Sequence, residues 1–340
     1  MKRRTLIQTS LLAAGCTAAA GCLGVGETEN GATDSIPTEE LPAYSEWVPA
    51  TPSGSQDGVL FTHQNWETVT QLGNGDDGND SLDVGDQAPI ASLPLYGLQL
   101  SPLVVVGISF YPFSDVIIPV EQAETDGVET ETMTWADSVV VFHGEYDLSV
   151  FEQQYADGFE ASDAPNGFTL FEGVEEFTAD LAFAVSEQTV VVGMEPGEDD
   201  AYVPTEEVSA SLERAAAERD RVVEQAQWLF EATGDADMSL GVWDTEDLPA
   251  RIDPETDASA DEPEIDGENP VFGAAESLIN TLSVEIQDDE IAHLTARFAG
   301  LYPDEVPSEA ELRTHLVGEA EVPHEIVRDG SQVYVAVTFE

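Results

Sequence analysis

Two hydrophobic periods occur along this chain, and together they predict a mixture of strands and helices. Short apolar runs bounded by Gly, Asp and Pro are typical of buried strands. They fall at residues 59–62, 103–110, 138–142, 167–171, 181–194, 238–243, 283–298, 324–330 and 332–339, where 181–194 and 283–298 each hold a strand pair. Apolar residues spaced three or four apart predict helices at residues 66–72, 149–156, 206–232 and 308–317.

The longest helical pattern covers residues 206–232 and predicts one helix of about 40 Å. Val208, Leu212 and Leu229 belong to a single apolar stripe along it. Thr205 is a suitable N-cap, and Gly234 lies where a helix is expected to end.

The middle and the C-terminal parts of the chain share an order of predicted elements. Residues 142–146 (FHGEY) and 298–302 (FAGLY) both carry an F-x-G-x-Y pattern at the end of a strand. A helix, a strand ending in Gly and a further apolar strand follow each pattern, and a strand pair precedes it. This order predicts a duplicated β-β-α-β-β unit. His143 corresponds to Ala299, whereas the glycines and tyrosines are shared, so the repeat favours architecture over chemistry.

The predicted fold class is α+β, with mostly antiparallel sheets, helices on one face, the duplicated unit and one long helix. We divide the chain into five segments on composition and pattern. These are a twin-arginine lipoprotein signal (1–22), a flexible acidic tether (23–50), an α+β domain containing the helix 206–232 (51–250), an acidic linker (251–270) and a second, smaller repeat unit (271–340).

The N-terminal segment predicts export. Arg3 and Arg4 precede a short, mildly apolar segment that is typical of twin-arginine signals. The alternative is a transmembrane anchor, but no run of about 18 or more apolar residues occurs in the chain.

The two cysteines of the chain both lie in this segment. The sequence before Cys22 (Ala-Ala-Gly) resembles a lipobox, which predicts a lipid on Cys22 and anchoring to the outer face of the cytoplasmic membrane. Cys16 follows the same three residues and is the second candidate, although cleavage there leaves a shorter apolar segment. Cleavage before Cys22 would leave a folded part without a further thiol, which excludes disulfides and cysteine nucleophiles there.

Charge indicates the environment of the protein. The chain carries 69 acidic residues and a formal net charge of −59, and its only lysine, Lys2, lies in the predicted signal. Such a chain repels itself in dilute buffer, whereas molar salt shortens the screening length to about 3 Å. This composition resembles that of proteins from extreme halophiles. It excludes nucleic acid as a partner, because nothing in the mature chain could neutralise a row of phosphates.

No motif in the chain predicts catalysis, a cofactor or a metal. None of the five histidines has a metal-ligand spacing such as H-E-x-x-H, and G-x-S-x-G and Walker motifs are absent. His63 and His143 are therefore interpreted as strand or surface histidines. With 69 acidic residues, any spacing of paired carboxylates can be found, so none is chosen.

Several of these features resemble a family of haloarchaeal surface lipoproteins exported by the twin-arginine route. They are the export signal, residues 47–50 (WVPA), residues 142–147 (FHGEYD) and the long acidic helix, and the likeness covers residues 45–245. The resemblance implies no activity and no catalytic residues.

The leading functional hypothesis is a non-enzymatic, lipid-anchored binding or envelope scaffold protein. Its partners are the membrane, through Cys22, and an envelope protein. Two alternatives stay open: a solute-binding lipoprotein of a transporter, and a metal-dependent hydrolase. The second requires a pocket in which histidines and carboxylates converge.

Overall fold

The structure is a computed structural model. It describes residues 35–49, 58–73, 89–91, 94–95, 127–136, 138–174, 178, 181–193, 203–216, 224–243, 270–287, 290–318 and 322–339. The predicted signal with Arg3, Arg4 and Cys22, the predicted strand 103–110 and nearly all of the predicted linker 251–270 lie outside these residues.

The described elements are strands and short helices. The strands are β1 (Val59–Asn65), β2 (Val128–Ala136), β3 (Val139–Tyr146), β4 (Phe159–Asp163), β5 (Thr169–Gly173), β6 (Ala182–Val185), β7 (Thr189–Gly193), β8 (Met238–Trp243), β9 (Ser277–Gln287), β10 (Glu290–Leu301), β11 (His324–Asp329) and β12 (Gln332–Phe339). The α-helices are α1 (Trp66–Gly73), α2 (Leu148–Tyr155), α3 (Pro204–Ala216), α4 (Glu224–Thr233), α5 (Pro270–Gly273) and α6 (Glu309–Leu312), the last continued by a π-helical turn, Arg313–Val317. Two 3-10 turns lie at Ala43–Trp47 and Pro165–Gly167.

All described strands form one sheet in the order β11-β12-β10-β9-β8-β1-β2-β3-β7-β6-β5-β4, and every neighbouring pair is antiparallel. The predicted α+β class with antiparallel sheet is confirmed. Pairing of β8 with β9 places strands from both sides of residues 251–270 in the same sheet.

Helices cover both faces of the sheet, so the expectation that they lie on one face is wrong. On β3, Phe142 packs with Phe151 of α2, whereas Val141 packs with Leu212 of α3 on the opposite face. The same division holds farther along the sheet, where α6 and α4 cover opposite faces. The physical reason is that β3 and its neighbours are apolar on both sides, and each side needs a cover. We call the two sides the α2/α6 face and the α3/α4 face.

The ends of the helices follow from local chemistry. Asp147 caps α2, because its carboxylate accepts the Ser149 N–H at 2.9 Å. Ser308 and Glu311 form a reciprocal capping box at α6. Gly234 has a φ of 68° directly after α4, which confirms the predicted helix end.

The long helix predicted at 206–232 is described as two pieces, α3 and α4, and residues 217–223 between them lie outside the described residues. The pieces contact different strands: α3 packs on β6 and β7, and α4 packs on β9 and β10. A single helix is therefore not confirmed. Pro204, rather than Thr205, is the first residue of α3.

Part of the segment predicted as a tether packs onto the sheet. Tyr44, Trp47 and Val48 are buried, and Ile36 packs against the same core. The two aromatic side chains account for this placement, since each removes a large apolar surface from water. Among the described helices, none is long and apolar enough to cross a membrane.

Candidate functional site

A cavity of about 560 Å³ opens on the α3/α4 face of the sheet, near its middle. Its walls come from the turn Ala43–Trp47, the ends of β1, β2 and β3, and the segment 235–237 that leads into β8. The volume lies within the range of small-molecule sites, which is about 300–1,000 Å³. We call it the histidine cavity, because His63 and His143 both line it.

Strand register explains why polar side chains meet at this point. His63 lies opposite Thr134 on β2 and opposite Ser239 on β8. One step along, His143 of β3 lies opposite Thr132 of β2 and opposite Thr189 on β7. Paired residues in a sheet point to the same face, so two short polar rows cross a sheet whose surroundings are apolar.

His63 is held on three sides. It is 6% exposed, and its Nδ1 lies 2.9 Å from Oγ1 of Thr134. The ring of Tyr44 stacks on the imidazole with centroids 4.0 Å apart and planes 14° apart. The Tyr44 hydroxyl is fixed in turn by Oγ of Ser239, at 2.8 Å.

His143 lies on the other side of the cavity. Its Nδ1 is 3.3 Å from Oγ1 of Thr189, and its ring centroid is 5.8 Å from that of Trp47. Nε2 of His143 is buried and has no hydrogen-bond partner in the structure. Nε1 of Trp47 is also buried and has no hydrogen-bond partner among the described residues. Buried polar atoms without partners are uncommon and cost about 1–3 kcal/mol each.

Burial controls the protonation of this site. It lowers the pKa of His63 from 6.5 to about 3, with a smaller contribution from the neighbouring His143. It lowers the pKa of His143 from 6.5 to about 4. Burial also raises the pKa of Tyr44 far above its ordinary value, opposed by the Ser239 hydrogen bond. Both imidazoles and the phenol are therefore neutral at pH 7.

An irregularity in the sheet lies at the edge of the cavity. The register of β2 and β3 shifts between Thr130 and Thr132, which leaves Glu131 without a partner opposite it. Bulges of this kind re-aim side chains next to functional sites. Gly144, which also lines the cavity, allows the close approach, because a Cβ there would collide with the backbone oxygen of Glu129.

Hydrogen bonds to Asp237 hold the segment 235–237 at the wall of the cavity. Its Oδ1 accepts the Thr68 hydroxyl at 2.9 Å, and its Oδ2 accepts the Val284 N–H at 2.8 Å. The side chain of Asn65 caps the start of α1 by accepting N–H groups of Glu67 and Thr68. These bonds join the end of β1 to the start of β8 and hold Asp235, the exposed residue at the rim, next to Tyr44.

The arrangement offers neutral hydrogen-bonding groups and acidic side chains. Glu131, Asp235 and Asp237 line the cavity, and no lining residue is Lys or Arg. Among the described residues, no group of three or more His, Cys, Asp or Glu side chains is placed to hold a metal ion. These groups can form hydrogen bonds with a polar or cationic ligand.

The site residues predicted from the sequence, Arg3, Arg4 and Cys22, lie outside the described residues. The structure instead brings together His63 and His143, which are 80 positions apart and carry no motif. Their proximity depends on β1, β2 and β3 being neighbours, which the sequence does not state. The one signal was an unequal pair within the F-x-G-x-Y pattern, His143 against Ala299.

Comparison with known proteins adds little to this geometry. No family model matches the chain, and no curated protein matches it. Among solved structures, that of crystal form I of TP0453 aligns over 88% of this chain and 94% of its own, at 8% identity and a TM-score of 0.38. A TM-score at that level carries no argument about this protein.

Proposed function

We propose that this chain is an exported, lipid-anchored, non-enzymatic binding protein, and that its ligand occupies the histidine cavity. The observation that supports the proposal is the cavity itself. It is a concave site with polar lining residues, and two neutral imidazoles and an aromatic ring line it. Sites of this composition bind small polar molecules by hydrogen bonding and ring contact.

We also propose where the protein acts, on the basis of its N-terminal segment. A twin-arginine signal containing Arg3 and Arg4 would deliver the folded protein, and a lipid on Cys22 would hold it on the outer face of the cytoplasmic membrane. One acyl chain alone gives marginal anchoring, so we infer a two-chain lipid. Exchange of Cys22 for Ser should release the protein from the envelope into the medium, whereas exchange of Cys16 for Ser should leave it attached.

The charge supports a high-salt environment. The chain has 69 acidic residues and 10 basic ones, so intramolecular repulsion opposes folding unless salt screens it. We therefore propose a halophilic source, with a free energy of unfolding that rises steeply between dilute buffer and molar KCl.

The finer architecture is also a proposal. Outward from the central β1/β8 pair, one half of the sheet runs β1-β2-β3-β7-β6 and the other runs β8-β9-β10-β12-β11. In both halves a helix follows the third strand, which supports a duplicated unit. We further propose that residues 206–232 form one helix that crosses from the first half to the second.

A solute-binding lipoprotein of a transporter is the second candidate, and the size of the cavity favours it. A protein scaffold would not need an internal cavity, whereas a solute carrier would. Both candidate functions predict a ligand site in the folded protein. They differ in whether a partner in the envelope exchanges the ligand with this protein.

The test is thermal unfolding of the intact protein in molar KCl with metals, sugars, amino acids, amines and peptides. A ligand that binds only the folded state raises the melting temperature with its concentration. We expect at least one small polar compound to do so, and a His63→Leu variant to lose the response. A cooperatively folded protein with no response to any compound would contradict the proposal.

A further inference from the structure

We propose that the histidine cavity selects a small organic cation that carries an ammonium group. The inference rests on the proposed binding function and names the class of its ligand. It depends on the sign of the charge in the cavity, on the acceptor atoms that the histidines offer, and on the lack of an arrangement suited to a metal ion.

The charge around the cavity has one sign. Asp235 and Glu131 are exposed carboxylates at the rim, whereas no Lys or Arg lines the cavity. Asp237 is engaged only by neutral donors, Thr68 and the Val284 N–H, so no cation offsets its charge. An anionic ligand would meet uncompensated carboxylates here, and a cation would relieve them.

The histidines add acceptors and no positive charge. We take the tautomer in which Nδ1 carries the proton: His63 then donates to Thr134, His143 donates to Thr189, and each Nε2 keeps its lone pair. No described residue bonds to Nε2 of His63, a side chain that is 94% buried and lines the cavity. Nε2 of His143 is covered by its neighbours and has no partner.

An ammonium group matches these acceptors better than a metal ion does. It brings three N–H donors, and Nε2 of His63 and the carboxylates that line the cavity are acceptors for such donors. A metal ion would require several ligating side chains at coordination distance, and the described residues hold no such group of three. The neutral ring of Tyr44, stacked on His63, adds an apolar wall for the carbon chain of the ligand.

Molar salt sharpens this selection rather than abolishing it. Carboxylates on the open surface are screened at a distance of about 3 Å and bind potassium without preference. A partly enclosed site is screened much less, so it can prefer a ligand that combines charge with directed N–H groups.

The experiment uses the intact protein in molar KCl and four probes. Putrescine, butanediol and succinate share a four-carbon chain and differ in their end groups, and tetramethylammonium is a cation without N–H donors. We expect only putrescine to raise the melting temperature in a concentration-dependent way. A larger response to butanediol or succinate than to putrescine would overturn the inference, and so would an equal response to tetramethylammonium.

Matched variants locate the effect. Asp235→Asn removes a rim charge, and Asp304→Asn makes the same change at an exposed residue that does not line the cavity. We expect Asp235→Asn to weaken putrescine binding about two- to fivefold, the effect of one exposed ion pair, and Asp304→Asn to leave it unchanged. Equal weakening by both variants would mean unspecific attraction and would overturn the inference.

The two proposals fail in different ways. If putrescine has no effect but another compound in the wider panel stabilises the wild type and not His63→Leu, the cavity binds a ligand of another class. The binding function then stands, and the ammonium inference falls. If neither putrescine nor any other compound stabilises the protein, both fall.

Discussion

The two F-x-G-x-Y segments occupy matching places in the sheet, yet one borders a cavity and the other borders packed core. On β3, His143 lies on the α3/α4 face beside the histidine cavity. On β10, Ala299 lies on the same face and packs with Phe230 of α4 and Tyr334 of β12. The residue between the shared Phe and Gly therefore lies beside a cavity in one half of the sheet and in packed core in the other.

The opposite face shows no such difference. Phe142 and Phe298 are both fully buried, and both pack beneath a helix that follows their strand, α2 and α6 respectively. Each segment thus has one side that serves packing in both halves and one side that differs. The difference separates the part of the pattern that specifies architecture from the part that is free to acquire chemistry.

The largest expected effect tests the side that the two segments share. Phe142→Ala and Phe298→Ala should each lower the free energy of unfolding by about 3–5 kcal/mol, because each removes a fully buried ring. Denaturant unfolding in molar KCl measures both. If one substitution cost little while the other was severe, the two halves would not be equivalent on this face.

A reciprocal exchange tests the side that differs. Ala299→His should cost about 2–3 kcal/mol, since it forces a polar ring into the packed core beneath α4. His143→Ala should cost less than about 1 kcal/mol, because it removes a buried nitrogen that has no partner. Similar losses for the two variants would contradict the distinction between cavity and core.

Acid pH should destabilise the cavity half. In the unfolded chain both histidines take up protons near pH 6.5, whereas the folded protein resists until about pH 4 for His143 and about pH 3 for His63. Their stabilising effect is fully present above pH 6.5 and is lost as the pH falls toward those values. Each histidine contributes a slope of about 1.4 kcal/mol per pH unit.

Between pH 7 and pH 5.5 the wild type should therefore lose about 2 kcal/mol more stability than a His63→Gln, His143→Gln double variant. Unfolding in molar KCl at a series of pH values measures the difference. The upper part of this window lies above the range in which carboxylates titrate. Identical pH profiles would show that the imidazoles are not buried in the neutral form.

The smallest effect concerns helix capping. Ser308 caps α6 through Glu311 N–H at 3.2 Å, and its loss in Ser308→Ala should cost about 1 kcal/mol. The same hydroxyl donates to Oε2 of Glu311 at 2.6 Å, a bond to a charged group, so the loss should be somewhat smaller at high than at low molar salt. A loss of the same size at all salt concentrations would assign the stabilisation to the neutral bond with the Glu311 N–H alone.

Much of the fold could be predicted from the sequence, because its strands are apolar and its turns are marked by Gly, Asp and Pro. The strand Met238–Trp243 was predicted with the bounds it has, and the helix at 149–156 was predicted within one residue. The strand β2 was missed, since the exposed Glu129 and Glu131 alternate with half-buried residues in its first half and give no apolar run. The strand β4 was missed because Phe159 is its only buried residue.

The site could not be predicted in the same way. His63 and His143 become neighbours only through the pairing order of β1, β2 and β3, a long-range property that no local period encodes. The neutral state of the two rings depends on burial by Tyr44 and Trp47, which lie in a segment whose composition indicated a tether. A shared pattern with two unequal positions, one of them His143 against Ala299, was the local trace.

The most direct test of the account is the state of the two imidazoles, read from the nitrogen-15 resonances of His63 and His143. The intact protein would be measured in molar KCl at about pH 5.5, with and without putrescine. The account predicts neutral rings protonated on Nδ1, with Nε2 resonances that move when putrescine is added. Rings that are protonated at this pH and unaffected by putrescine would contradict it.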